Sequence, residues 1–136
     1  MNIGKAAKLS GVSARMIRHY EAIGLLAVAP RSGTGYRDYN DNDASTLRFI
    51  RAARDLGFSL DSIRELLSLW QNHSRESREV KSLALEHINA LETKVAELNS
   101  MIATLRKLAL HCHGDHRPDC PILDGLSNNN TSRLRN

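Results

Sequence analysis

The run Ile3-Gly4-Lys5-Ala6-Ala7-Lys8-Leu9-Ser10-Gly11-Val12-Ser13-Ala14-Arg15-Met16-Ile17-Arg18-His19-Tyr20-Glu21-Ala22-Ile23-Gly24 decides the fold of this chain. Apolar positions at 3, 6, 7 and 9 form the stripe of a short amphipathic helix. Gly11, in Ser10-Gly11-Val12, suits a tight turn with left-handed backbone. Ser13 is placed to cap a second helix carrying Arg15, Met16, Ile17, Arg18, Tyr20 and Ile23, which Gly24 ends. Two helices joined by a glycine-containing turn, the second with basic and polar side chains on one face, make a helix-turn-helix.

The neighbouring residues extend this reading. Arg31-Ser32-Gly33-Thr34-Gly35 is a turn flanked by Val28 and by Tyr36-Arg37-Asp38-Tyr39, and it predicts a small β-hairpin, or wing. Asn40 or Asp41 caps a third helix with Leu47, Phe49, Ile50, Ala53 and Leu56 inward, closed by Gly57. Ser59 caps a fourth, with Ile63, Leu66, Leu67 and Trp70 inward. Residues 1–70 are therefore expected to form a winged helix-turn-helix domain.

Charge supports a polyanionic partner. The 136-residue chain has a formal net charge of +4. Residues 1–37 alone hold six basic residues (Lys5, Lys8, Arg15, Arg18, Arg31, Arg37) against Glu21, a local charge of +5. Such a concentration suits phosphates, whose neutralisation releases counterions. The longest apolar run near the N-terminus, Leu25-Leu26-Ala27-Val28-Ala29, is far short of the roughly 18 residues that span a bilayer. A cytoplasmic protein with no membrane partner is expected.

After a polar hinge at 71–76, one helix is predicted over 77–110. Ala84, Ile88, Leu91, Val95, Leu98, Ile102, Leu105 and Ala109 recur at alternating spacings of four and three. A heptad seam sustained this long signals a coiled coil. At 1.5 Å per residue the helix is about 50 Å long, too long for the small N-terminal domain to cover. Its stripe calls for a second copy of the chain, hence a homodimer.

The only cysteines, Cys112 and Cys120, follow in His111-Cys112-His113-Gly114-Asp115-His116-Arg117-Pro118-Asp119-Cys120-Pro121. In a reducing compartment a cysteine pair points to metal ligation or redox sensing rather than a structural disulfide. A DNA reader at one end and soft ligands at the other, with a stiff helix between, is the layout of a metal-responsive regulator.

Several motifs carry a resemblance to a known family. Met16-Ile17-Arg18-His19-Tyr20-Glu21, Ile23-Gly24-Leu25-Leu26, Gly35-Tyr36-Arg37-Asp38-Tyr39 and Leu56-Gly57-Phe58-Ser59-Leu60 resemble the MerR family of transcriptional regulators. Cys112 and Cys120-Pro121-Ile122-Leu123 resemble its copper-efflux members, of the CueR and HmrR type. The likeness covers residues 1 to about 126. The tail, 127–136, matches nothing useful and is expected to be disordered. The resemblance implies a dimeric activator that binds double-stranded promoter DNA with or without metal. Loaded with effector, it distorts an over-long promoter spacer so that RNA polymerase meets both elements in register, a form of indirect readout. The DNA-binding residues expected are Lys5, Ser13, Arg15, Arg18, Tyr20, Arg31, Tyr36 and Arg37.

Thiolates favour Cu(I), Ag(I), Au(I), Zn(II) and Hg(II) over hard ions. Two cysteines match the two-coordinate preference of a monovalent ion, so one Cu(I) per subunit is expected on Cys112 and Cys120, with Ag(I) or Au(I) possible. The rival is a tetrahedral Zn(II) site completed by His111, His113 or His116. In an antiparallel pair centred near residue 93, Ser77 of one subunit approaches residues 109–112 of the other. In the family this position is Cys in divalent-ion sensors and Ser in monovalent ones, so Ser77 favours Cu(I). As the start of a helix it also offers N–H groups to balance the anionic bis-thiolate unit.

A thiol redox sensor is the other alternative, although no Lys or Arg adjoins either cysteine. A drug-sensing regulator would carry a larger effector domain than the roughly 26 residues beyond the helix allow. No enzyme is expected, because Cys112 with its adjacent histidines supplies no nucleophile, base and orienter grouping. The expected fold is mainly α: a winged helix-turn-helix, a long antiparallel dimerisation helix at 77–110, and a metal-binding loop with a short segment at 111–126.

Overall fold

The structure is a computed structural model, and it describes residues 1–112, 114, 115, 118 and 120–128. Six helices run through these residues: α1 (Ile3–Ser10), α2 (Ala14–Ala22), α3 (Asp41–Asp55), α4 (Leu60–Gln71), α5 (Ser77–Leu110) and α6 (Pro121–Asn128).

Side-chain caps set the starts of the first four. Asn2 Oδ1 accepts from Lys5 N at 2.8 Å, and Ser13 Oγ from Met16 N at 3.2 Å. A full capping box opens α3: Asp43 N donates to Asn40 Oδ1 at 2.8 Å, and Asn40 N to Asp43 Oδ2 at 3.0 Å. Ser59 Oγ accepts from Ser62 N at 3.1 Å. Each such cap satisfies an orphan N–H and is worth about 1 kcal/mol. Gly11 takes the left-handed backbone, φ 75°, that ends α1.

The chain divides into two compact units, Met1–Ala84 and Leu85–Asn136. In the first, α1 packs on α2 and α3, and α3 on α4. Ala6, Ile17, Tyr39, Leu47, Ile50 and Ile63 are fully buried, joined by Val12, Leu25, Leu26 and Leu67. Two arginines reach across to the ends of the helix-turn-helix. Arg51 of α3 donates to the Gly11 carbonyl, and Arg64 of α4 donates to Ile23 O at 3.0 Å and Gly24 O at 3.4 Å. These guanidiniums satisfy carbonyls that α1 and α2 leave unpaired. Trp70, expected to face inward, is 39% exposed and stacks on Phe49 with ring centroids 4.5 Å apart.

The wing differs from the expected hairpin. One antiparallel bridge between Arg31 and Arg37 closes it, with no paired strands among the described residues. Ser32 N donates to Tyr36 O at 2.6 Å and Gly35 N to Ser32 O at 2.9 Å. Pro30 O accepts from Asp38 N at 2.7 Å, but proline has no N–H to return, so the ladder stops there.

The first unit extends past residue 70, where the sequence placed the domain boundary. Its closing residues are the non-helical 72–76 and the first two turns of α5. Glu65, Ser68 and Leu69 of α4 line one groove with Arg78, Glu79, Ser82 and Leu83 of α5, so these turns belong with the first unit. In the second unit, Ile88, Leu91, Val95, Leu98, Ile102 and Leu105 of α5 are each 42–55% exposed. Gly125 of α6 lies against Leu108 of α5. Of the tail expected to be disordered, Ser127 and Asn128 form the last turn of α6, and 129–136 lie outside the described residues.

Candidate functional site

The three-to-four spacing of α2 sorts its side chains onto two faces. Ile17, Tyr20 and Glu21 are buried, while Arg15, Met16, Arg18 and His19 are exposed. The wing adds Arg31 and Tyr36, the latter 74% exposed. Arg18, Arg31, Tyr36 and Arg37 line one open cleft of about 450 Å³ between α2 and the wing, with Asn2, Glu21 and Tyr39 among its other walls. Three guanidiniums on one concave surface make it basic, and their fixed, forked donors are of the kind that suits a phosphate.

The other expected DNA-binding residues are placed as follows. Lys5 is exposed on α1 and Arg15 on α2, and neither lines the cleft. The hydroxyl of Ser13 is engaged in capping α2. Tyr20 is a correction: only 5% exposed, it is a core residue beside Ile17 rather than part of the outward face. Its position three residues after Ile17 turns it inward.

Sequence reasoning passed over Glu21 and Tyr39. Tyr39 is 1% exposed, and its hydroxyl donates to Glu21 Oε1. Burial first, then the hydrogen bond to Glu21, push the Tyr39 phenol up to about 12. Glu21 Oε2 lies 3.5 Å from Arg37 Nε, and Arg37 Nη1 donates to Ala29 O at 3.3 Å. Glu21 lies one helical turn after Ile17, on the inner face of α2, but its partners come from a segment distant in the sequence.

The second candidate lies in the other unit. Past Leu110 the chain makes one more turn, in which Cys112 N donates to Ala109 O at 3.1 Å. Cys120 sits at the N-cap position of α6, its carbonyl accepting from Asp124 N at 3.0 Å, with Pro121 as the first helical residue. Proline suits that position because its missing N–H would be unpaired there anyway. Both cysteines are free thiols and half-buried. His111 is exposed, and His113 and His116 lie outside the described residues. Among the described residues no third Cys, His, Asp or Glu completes a metal-ligating group with them. Thiolates are soft ligands, so the two cysteines suit a thiophilic ion.

Residues 1–70 match the family described as "MerR HTH family regulatory protein", and residues 44–108 match "MerR, DNA binding". The chain belongs to the MerR family. It is 59% identical to the HTH-type transcriptional regulator HmrR of Sinorhizobium medicae, over 93% of this chain and 86% of that one. It is also 59% identical to heavy metal-dependent transcription regulator 2 of Rhizobium meliloti, over 94% and 87%. Among solved structures it resembles the transcription regulator PbrR691 of Ralstonia metallidurans CH34 in complex with lead(II). That match has a TM-score of 0.81 and 33% identity, covering 93% of this chain and 98% of the other. A MerR-family chain is a DNA-binding transcriptional regulator rather than an enzyme, as the sequence led us to expect. No helix among the described residues is long and apolar enough to cross a membrane.

Proposed function

We propose that this MerR-family regulator is a cytoplasmic, heavy-metal-responsive activator of copper-efflux promoters, working as a homodimer with one Cu(I) per subunit. The observation that carries the metal reading is the donor set: two free, half-buried thiols, one ending the turn after α5 and one at the N-cap of α6. Cys112 and Cys120 would hold Cu(I) through their thiolates, the soft sulfur donors that a monovalent coinage ion prefers. Ag(I) and Au(I) share this chemistry and compete for the same pair.

The exposed seam of α5 supports the dimer. Apolar side chains at heptad spacing, each about half exposed along a 34-residue helix, are covered economically by a second α5. In an antiparallel pair Ser77, exposed at the first residue of α5, adjoins the thiol site of the other subunit. Its hydroxyl leaves the site without a third thiolate, and the helix start offers N–H groups to the anionic bis-thiolate unit. At the other end of the chain, Lys5, Arg15, Arg18, Arg31, Tyr36 and Arg37 hold the promoter. Metal alters the shape imposed on the DNA rather than the occupancy, and RNA polymerase responds to the promoter so reshaped.

The lead(II) complex of PbrR691 favours a second reading, a divalent soft ion such as Zn(II) held with loop histidines. Anaerobic titration of the full-length protein with Cu(I) and with Zn(II), in competition with chelators, separates the two. One Cu(I) per subunit, held more tightly than Zn(II) and unaffected by His111→Ala, supports the Cu(I) reading. Tighter Zn(II) binding that depends on a histidine would replace it.

A further inference from the structure

Glu21 is a carboxylate in the wrong place for a surface charge. It lies on the inner face of α2 and is 7% exposed. Burying a charge is costly unless partners compensate it. Tyr39 and Arg37, both from the chain leaving the wing, are those partners. The Tyr39 hydroxyl donates to Oε1, and a phenol keeps its proton across the physiological range even at its ordinary value of about 10. Oε2 lies 3.5 Å from Arg37 Nε and is, among the described residues, the buried side-chain polar atom without a hydrogen-bond partner.

The asymmetry matters. Glu21 is pinned through one oxygen and attracts Arg37 through the other without closing a full hydrogen bond. Arg37 is one-third exposed, on the wall of the cleft it shares with Arg18, Arg31 and Tyr36. A guanidinium has five N–H donors. With one on Ala29 O and one face held by Glu21, the rest of the fork remains for a ligand in the cleft.

We propose that Glu21 is a positioning residue for DNA recognition: its buried carboxylate, fixed by Tyr39, orients the Arg37 guanidinium toward a DNA phosphate. It thereby ties the wing to α2. The proposal rests on the reading above that Arg37 contacts the DNA backbone. An arginine already oriented loses less rotamer freedom on binding than one free in solvent. Glu21 carries no DNA contact of its own in this scheme, and its effect passes entirely through Arg37.

A double-mutant cycle on operator binding by the full-length protein tests it. Glu21→Gln keeps the shape and the Tyr39 acceptor but removes the charge. A loss of about fivefold in operator affinity is expected, as for one side chain that must be ordered on binding. In an Arg37→Ala background the same change should have no further effect. Equal losses in both backgrounds would mean a structural role and overturn the proposal. So would a Glu21→Gln protein that binds as well as or better than wild type, with the carboxylate then only a competitor for the arginine. If Arg37→Ala itself left affinity unchanged, the DNA contact would fall and the positioning role with it. If Glu21→Gln does not fold, as a thermal melt would show, Tyr39→Phe is put through the same cycle. It leaves the carboxylate unpinned and should show the same dependence on Arg37, and additivity there would equally overturn the proposal.

Discussion

Gly125 of α6 meets Leu108 of α5 so closely that a Cβ at Gly125 would lie 2.5 Å from Leu108 Cδ2. This packing holds α6 against the last turn of α5, and the two helices carry the backbone on either side of Cys112 and Cys120. A bulkier residue at 125 must displace the end of the half-buried Leu108 side chain or lift α6. Because that side chain can give, the cost lies at the low end of overpacking, about 1 kcal/mol. Gly125→Val is therefore expected to weaken Cu(I) binding by roughly fivefold, with operator occupancy unchanged. A chelator competition that returned the wild-type affinity would show that α6 docking has no part in the site.

The thiol pair itself should behave as a unit. Removing either sulfur leaves one soft ligand, so Cys112→Ser and Cys120→Ser should each abolish metal-induced transcription. Both variants should still occupy the operator, because the basic face lies on α1, α2 and the wing. His113→Ala and His116→Ala should respond to copper almost normally. Transcription from the target promoter, measured side by side in the four variants, decides between two-coordinate Cu(I) and a site that needs histidine.

What could be read in the sequence is what local spacing encodes. Ser13, Asn40 and Ser59 cap α2, α3 and α4, and Gly11 and Gly57 turn the chain with φ of 75° and 85°. Each signal acts within one or two helical turns. The wing is less regular than its sequence suggests, because a turn flanked by aromatic residues resembles a hairpin until Pro30 is seen to deny the ladder an N–H. Tyr20, close to Arg18 in sequence, looks like part of a DNA-facing surface, yet its spacing from Ile17 turns it into the core. The Glu21–Tyr39–Arg37 network is illegible for a different reason. Glu21 and Tyr39 are 18 residues apart, and nothing local marks a glutamate that will be buried against such distant partners. For the thiol site, the sequence shows the two cysteines and Pro121, but not the packing of Gly125 on Leu108.

The seam of α5 offers a direct test of the dimer. Leu91 and Leu98 are 42% and 48% exposed in the single chain, and an antiparallel partner would bury them. A charge placed there without a counter-ion costs several kcal/mol once buried. Leu91→Glu or Leu98→Glu should sediment as a monomer or unfold. A stable, monodisperse dimer of either variant would rule out this seam as the interface.

Arg18 stands exposed on α2 and also lines the cleft toward the wing. If it neutralises one phosphate, Arg18→Ala should weaken binding to operator and to unrelated DNA alike. With one phosphate fewer neutralised, the slope of log affinity against log salt should flatten by about 0.9. Fluorescence anisotropy across a salt series measures both. An unchanged slope would place Arg18 off the backbone.

The pH dependence of stability should expose Tyr39. Its phenol titrates near 12 in the folded chain, raised chiefly by burial and then by Glu21, against about 10 when unfolded. The folded state thus favours the protonated form. Its contribution is fully present below about pH 10 and drains away as the pH climbs from there through about 12. Two units correspond to roughly 3 kcal/mol. Tyr39→Phe lacks the titrating group while the other bases of the protein titrate in both chains. The stability gap between wild type and Tyr39→Phe should therefore shrink steadily above about pH 10 in denaturant melts. In folded wild type, the phenolate absorbance missing from Tyr39→Phe should appear only as the pH nears about 12. A gap that stayed constant to about pH 11.5, or a Tyr39 phenolate already formed at about pH 10, would mean that the hydroxyl is not held by the buried Glu21.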